Sequence, residues 1–572
     1  MYIIGSFSDS LDFDPGLGVY NLTSNGNKDI FILKLNKNGD FMWAKSFGGV
    51  LPDAIYSIVT DSYGNVYTTG KFWGTVDFDP GINVYNLTSS SYDMFISKLD
   101  VNGDFLWAKK IGGSNPDVGY AITLDDYGNV YTTGEFWGTV DFDPGINVYN
   151  LISSSYDTFI LKLSENGDFL WANSFGVSIP PKSIVVDQYG YIYLNGRFSN
   201  TVDFDMGVGV YNLTALALSD IYINKIDSIG TLIWVKQIGG YLVYPIMNSL
   251  ILDSAGNVYT IGNFKNDIDF DPGLGVYTLT SNGQEDVFIV KLDTNGDFSW
   301  AKSFGGGSKD VINSIELDGF GNIFTTGSFE NTVDFDPGIG VNNLSSVWAT
   351  DAFISKLDSD GNFLWATSMG GGAEDEGVSI ELDNNGSIYT VGTFSAGANF
   401  NSMGSYILQS NGSTDIFISK LSQCSNSIIN TSPTLSALDT TASYQWLDCV
   451  NNHSFISGAT SQSYTPTSNG IYALEITTNY CVDTSACIVV NNVSIAKKST
   501  CISLYPNPTN NGITLDIEGY NGSVNVEVYD LQGRLLETTT NTTVSMQEYA
   551  KGIYVFKVAY GDRTQELKVV KE

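Results

Sequence analysis

Six copies of the tripeptide Asp-Phe-Asp set two carboxylates two residues apart: Asp12/Asp14, Asp77/Asp79, Asp141/Asp143, Asp203/Asp205, Asp269/Asp271 and Asp334/Asp336. In extended backbone alternate side chains share a side, so each pair turns both carboxylates one way and its phenylalanine the other. Oxygen ligands in this arrangement suit a hard cation, and Asp77, Asp79, Asp141, Asp143, Asp269, Asp271, Asp334 and Asp336 are the candidate calcium ligands. The competing reading is that the carboxylates accept amide hydrogens at the turn that follows. Capping is the stronger of the two. The seventh copy reads Asn399-Phe400-Asn401, keeping the hydrogen-bonding shape without the charge, and Met206 stands where other copies carry proline. Two carboxylates also fall short of a full calcium shell. No cofactor other than such a calcium ion is expected.

Other chemistry is sparse. His453 is the one histidine, and Cys424, Cys449, Cys481, Cys487 and Cys501 are the only cysteines. The first 420 residues therefore offer no histidine metal cage, no Ser-His-Asp triad and no cysteine nucleophile. No glycine-rich phosphate loop opens a helix; the Gly-Gly pairs end strands instead. Glycoside hydrolysis needs only two carboxylates, so it survives as the enzymatic alternative. With 62 acidic residues such pairs are inevitable, and the cluster Glu374, Asp375, Glu376 reads equally well as a solvated loop. No catalytic residue is assigned and the chain is read as a non-enzyme.

The elements that hold these residues recur. Trp43, Trp107, Trp171, Trp234, Trp300 and Trp365 close phrases such as Asn102-Gly103-Asp104-Phe105-Leu106-Trp107, and Phe31-Ile32-Leu33-Lys34-Leu35 returns near Phe95, Phe159, Ile221, Phe288, Phe353 and Phe417. A third phrase, Asp61-Ser62-Tyr63-Gly64-Asn65-Val66-Tyr67, returns from Asp125, Asp187, Asp253, Asp318 and Asp383. Short runs rich in β-branched and aromatic residues, bounded by Gly, Asn and Asp, predict strands and tight turns. Four strands per unit of about 65 residues, seven times over, predict an all-β, seven-bladed β-propeller over 1–421, with incomplete first and last blades. The repeated lysine (Lys34, Lys98, Lys162, Lys225, Lys291, Lys356, Lys420) reads as a stem packed along a strand, its head on a nearby aspartate or in water. Trp73, Trp137 and Trp348, which do not recur in every copy, are the better ligand candidates.

These phrases resemble the SBBP β-propeller repeat family, a scaffold that brings no catalytic residues. Met1 falls on the second strand of a repeat, so a truncated start with a lost signal peptide is expected. Composition changes after Leu421. The run Tyr444-Gln445-Trp446-Leu447 with Gly470-Ile471-Tyr472-Ala473 resembles a small immunoglobulin-like module over 424–493, cysteine-containing and of open disulfide connectivity, with Cys501 expected to stay unpaired. The segment 501–572, with Leu504-Tyr505-Pro506-Asn507-Pro508, Tyr529-Asp530-Leu531-Gln532-Gly533-Arg534 and Gly552-Ile553-Tyr554-Val555, resembles the type A C-terminal sorting domain of the type IX secretion system of Bacteroidetes. Two small β-sandwiches after the propeller follow from these resemblances. They imply export to the cell surface or medium, with the secretion machinery as partner through 501–572.

The net charge of −35 argues against a nucleic-acid partner, and no apolar run is long enough for a spanning helix. The expected whole is a monomeric secreted or surface protein that binds an extracellular glycan or protein. A carbohydrate-active enzyme and a purely structural surface protein are the alternatives.

Overall fold

The computed structural model describes residues 1–572 except 177–178, 241–245, 384–385, 401–405, 422–427, 439, 441, 452, 478–481, 486 and 492–501; at 246, 482 and 483 only the backbone is described. Asn401, Cys424, Cys481 and Cys501, singled out above, lie outside the described residues. Among those described, the regular elements are all strands apart from one short 3-10 turn at Cys449–Asn451.

The repeats fold as a β-propeller: antiparallel sheets follow one another from Tyr2 to Leu421. A complete unit is the series Ala54–Thr60, Val66–Asp77, Asn86–Leu99, Phe105–Ile111, each strand paired with the next. The first sheet has three strands (Tyr2–Phe7, Asp29–Leu35, Phe41–Phe47), and so has the last (Glu376–Leu382, Ile388–Phe394, Asp415–Leu421). The turn between the first two strands shows why the sequence folds this way. Asp61 accepts the amides of Tyr63 and Asn65, at 3.0 and 2.9 Å, and Gly64 takes φ 81°, a conformation that disfavours a side chain.

Neighbouring sheets bury each other's faces. The core between the second and third sheets joins Tyr67, Met94 and Ile96 to Phe136, Phe159 and Leu161, all fully buried. The last sheet closes on the first, with Val391 and Ile418 packed against the core built on Ile3, Phe31 and Leu33. Each unit alone exposes an apolar face, so burial between units is what drives the ring to form.

The innermost strands carry a β-bulge at a constant place, between Ile55 and Ser57, Gly119 and Ala121, Met247 and Ser249, Ile312 and Ser314, and Gly377 and Ser379. A bulge re-aims the extra residue, here Tyr56, Tyr120, Asn248, Asn313 and Val378.

By contacts the chain divides into two units: Met1–Thr465 with Gly470–Val489, and Pro466–Asn469 with Val490–Glu572. The first includes strands Ser443–Asp448 and Gly470–Thr477 around the fully buried Trp446, and a disulfide between Cys449 and Cys487. In the second, a three-stranded and a four-stranded sheet share a core of Ile513, Val526, Val528, Val544, Phe556 and Val558. No helix among the described residues is long and apolar enough to cross a membrane.

Candidate functional site: an aromatic patch on two neighbouring blades

The copies differ at the bulge and at a second irregularity inside the second strand, between Phe72 and Gly74 in the second sheet and between Phe136 and Gly138 in the third. In the second sheet these positions hold Tyr56 and Trp73, and in the third Tyr120 and Trp137; elsewhere they hold polar or small residues such as Asn248 with Lys265 and Asn313 with Glu330. Tyr92 and Tyr156 complete each set, where Glu285 and Thr350 stand in later copies. The side chains meet. Tyr56 and Tyr120 lie with ring centroids 5.2 Å apart across the blade boundary, Trp73 packs on Tyr92 at 5.4 Å, and Trp137 packs on Tyr156 at 5.6 Å. Tyr56, Trp73 and Trp137 are solvent-exposed, so six aromatic side chains form a partly open surface.

Polar groups are set among the rings. The Lys71 ammonium lies 4.6 Å from the Tyr92 centroid and 5.8 Å from that of Tyr56. The Tyr120 hydroxyl donates to Glu135 at 2.8 Å. Burial pushes the Glu135 carboxyl up, opposed by that hydrogen bond and by the Lys71 charge. A surface of aromatic faces with a few fixed donors and acceptors is suited to sugar rings, which present apolar C–H faces and a polar rim. Trp348 stands apart, 91% exposed at φ 78°, with no ring partner among the described residues.

The strand segments that carry the tryptophans are held by buried aspartates. Asp53 accepts the Trp73 amide at 3.1 Å through one oxygen and the Gly49 amide at 2.8 Å through the other; Asp117 does the same for Trp137 and Gly113. Both aspartates are buried, which raises Asp53 to about 6 and Asp117 to about 7. Sequence reading missed this role, and it missed Tyr92 and Tyr156, which meet the tryptophans only through pairing of distant strands, and Tyr56 and Tyr120, which meet across the blade boundary.

A second feature lies near the other end of the inner strands. Glu316 and Glu381 occupy one position on adjacent strands, Val311–Leu317 and Glu376–Leu382, where other copies have Val59, Thr123, Val185 and Ile251. Burial, reinforced by the Glu381 charge, lifts Glu316 to about 7; burial raises Glu381 as well. Glu316 borders a cavity of about 410 Å³ lined also by Tyr259, Lys291, Phe320 and Ser359.

The Asp-Phe-Asp pairs lie in the insertion loops, each phenylalanine buried and the aspartates facing outward or half-buried. Asp77 accepts the amides of Asp79 and Tyr85 at 3.1 and 2.7 Å, and Asp79 accepts that of Gly81 at 2.8 Å. The same bonds recur for Asp141 and Asp143, for Asp269 and Asp271, and for Asp334 and Asp336. Asn399 keeps one of them, accepting the Tyr406 amide at 2.9 Å. Among the described residues these loops are not brought together into a larger acidic group. Among the described residues the one His, Cys, Asp or Glu trio with ligand atoms within 4.8 Å of one another is Cys449, His453 and Cys487, and its two sulfurs are joined as a disulfide.

Two expectations are corrected. The repeated lysine heads reach the neighbouring blade: Lys34 Nζ donates to the Val101 carbonyl at 2.7 Å, Lys98 to Glu165 and Lys291 to Ser359, each beside a tyrosine ring. Aspartates remain partners at Lys162 and Lys291, at 3.6 and 3.8 Å. The Glu374–Glu376 cluster is not a solvated loop, since Asp375 is fully buried on the Gly371 amide and Glu376 accepts from Asn313 at 2.7 Å.

Comparison with known proteins matches residues 503–572 to the family described as a secretion system C-terminal sorting domain, and residues 106–139 to the beta-propeller repeat family. An uncharacterized WD repeat-containing protein of Acanthamoeba polyphaga mimivirus is 25% identical over 455 residues, covering 66% of this chain and 32% of the relative. Regulatory protein FlaEY of Caulobacter vibrioides is 25% identical over 137 residues, 24% of this chain and 14% of that protein. The chain thus spans a third or less of the length of these relatives. Two solved structures are also similar. One is PorZ, described as an essential surface component of the type-IX secretion system of Porphyromonas gingivalis, at 12% identity over 95% of this chain and 79% of that one, with a TM-score of 0.15. The other is the extracellular domain of a putative hybrid two component system from B. thetaiotaomicron, at 10% identity over 99% and 91%, with a TM-score of 0.13. Superpositions this loose carry no argument about blades or sites. The chain thus carries a stretch that matches the beta-propeller repeat family, within repeats that fold as a β-propeller, and a segment at 503–572 that matches the secretion system C-terminal sorting domain, which indicates export by type IX secretion.

Proposed function

We propose that this protein is a secreted or surface-attached glycan-binding protein whose propeller holds its ligand on the aromatic patch. The observation that carries the reading is the contact of Tyr56 with Tyr120 across a blade boundary, flanked by Trp73 on Tyr92 and Trp137 on Tyr156. Six rings converge where the repeat departs from its own pattern, and scaffold duties do not require them there. The sorting domain supports a destination where extracellular glycans are met. The module at 424–493 serves in this reading as a spacer.

A glycan array probed with the full chain and with a Trp73→Ala/Trp137→Ala double variant tests it. Binding to a defined glycan class that drops at least tenfold in the variant is the expected result. Binding to no glycan, or equal binding by both proteins, would overturn it.

Glu316 and Glu381 favour one second reading, hydrolysis of a glycan at the cavity. A carboxyl raised to about 7 beside another carboxylate has the form of a general acid with its partner. Glycan cleavage by the wild type that is lost in Glu316→Gln would establish it, and an inert wild type would remove it.

A further inference from the structure

The aromatic patch ends at the third blade, and the equivalent positions of the next two blades carry cations. Lys182 immediately precedes Ser183, as Tyr120 precedes Ala121 and Tyr56 precedes Ser57; those three following residues hold one register, paired with Asn195, Thr133 and Thr69. Arg197 stands in the place of Glu135 and Lys71, and Lys265 in that of Trp137 and Trp73. The inner strand that carries Lys182, Ile179–Val186, lies against those of the third and fifth blades, Val118–Leu124 and Ile246–Leu252. Ile184 shares a core with Ala121 and Tyr131, and the Ser183 hydroxyl accepts the Leu250 amide at 3.2 Å. The basic positions therefore continue the surface that the rings begin.

Their charge runs against the composition of the chain, which has 62 acidic and 27 basic side chains. Lys182 and Lys265 are exposed and Arg197 is half-buried. Neither lysine forms an ion pair among the described residues. The acids at the corresponding positions of blades two to five are Glu135 and Glu285. Glu135 accepts from the Tyr120 hydroxyl, and Glu285 lies 3.2 Å from Lys309. The other four positions in the fourth and fifth blades hold Ser199, Ser219, Asn248 and Asn263, which add no charge.

The net charge of −35 does not forbid an anion at this place. At physiological ionic strength exposed charges more than about 8 Å apart are largely screened, so the nearby side chains decide. Rings take the C–H faces of a sugar, whatever its charge. Ammonium and guanidinium groups take carboxylate or sulfate oxygens in charge-assisted hydrogen bonds, and a guanidinium can offer two at once. A polymer long enough to cross from the third blade to the fifth meets both kinds of group in turn.

We propose that the ligand of the patch is an acidic polysaccharide, stacked on the rings of the second and third blades and met through its carboxylate or sulfate groups by Lys182, Arg197 and Lys265 over the fourth and fifth. The inference rests on the glycan-binding reading above and narrows it to anionic polymers. The rings supply contact common to all sugars, and the cations set the preference for charge.

Affinities of the full chain for a polyuronate, for a sulfated dextran without carboxylates and for plain dextran test the proposal. At least one anionic polymer should bind roughly tenfold more tightly than dextran and weaken as salt is raised. The better of the two names the anionic group as carboxylate or sulfate. A Lys182→Glu/Lys265→Glu double variant, changed only at exposed positions, should melt as the wild type does and lose roughly tenfold on that polymer. Dextran bound as tightly as both anionic polymers would overturn the inference, as would an anionic polymer that the charge-reversed variant holds unchanged. Binding to none of the three, with a neutral glycan found on the array, would overturn the inference and leave the glycan-binding reading standing. An array on which no glycan binds removes that reading itself.

Discussion

Lys420 Nζ donates to the carbonyl of Lys37 at 3.0 Å, joining residues 383 positions apart. The bond repeats, between the last sheet and the first, the step that takes Lys34 to Val101 and Lys98 to Glu165. The Tyr389 hydroxyl donates to the same carbonyl at 3.0 Å, and the ammonium lies 4.9 Å from the Tyr389 centroid. Closure of the ring thus uses the same stitch as the other junctions where it is seen.

Replacing that lysine should loosen the ring. Lys98→Met keeps the apolar stem and removes both the hydrogen bond and the charge over Tyr67, so a loss of about 1–2 kcal/mol is expected. Lys420→Met, at a more exposed position, should cost about 1 kcal/mol or less. Urea denaturation of the two variants measures both, and a larger loss for Lys420→Met would mean that closure is the weakest junction.

The insertion loops make a second prediction. Asp77 caps two amides through one oxygen, and Asn399 shows that an amide oxygen can do this work. Asp77→Asn should therefore change stability by no more than about 0.5 kcal/mol, while Asp77→Ala should cost about 1–2 kcal/mol. Thermal melts of both variants decide it.

Much of this was legible in the sequence, and the misses have physical causes. The strand phrases and turn residues give the blade directly, because both depend on neighbours within a few positions. Lys34 could be seen as a strand lysine, but its partner Val101 belongs to the next blade, and no local pattern names it. Trp73 and Trp137 stood out as departures from the repeat. Tyr56 and Tyr120 did not, since their meeting across the blade boundary depends on a bulge that is invisible in a single strand's alternation.

Glu316 makes stability depend on pH. Its folded pKa, about 7, lies above the unfolded value near 4.5, so the folded chain holds more protons between the two. Stability contributed by the protonated form is complete below pH ~4.5 and is lost as pH rises toward 7. Glu316→Gln removes that dependence. The variant should be more stable than the wild type at pH 7.5, by about 1–2 kcal/mol since Glu316 borders an open cavity, and equal to it at pH 4.5. Parallel melts at the two pH values check the sign.

The central claim is that ligand sits on the aromatic patch, and a crystal structure of the full chain with its best glycan from the array tests it most directly. The account predicts a sugar ring stacked on Tyr56 or Tyr120, with Trp73 or Trp137 at its edge and Lys71 or Glu135 on its hydroxyls. Glycan bound beside Glu316, with the six aromatic residues bare, would contradict it.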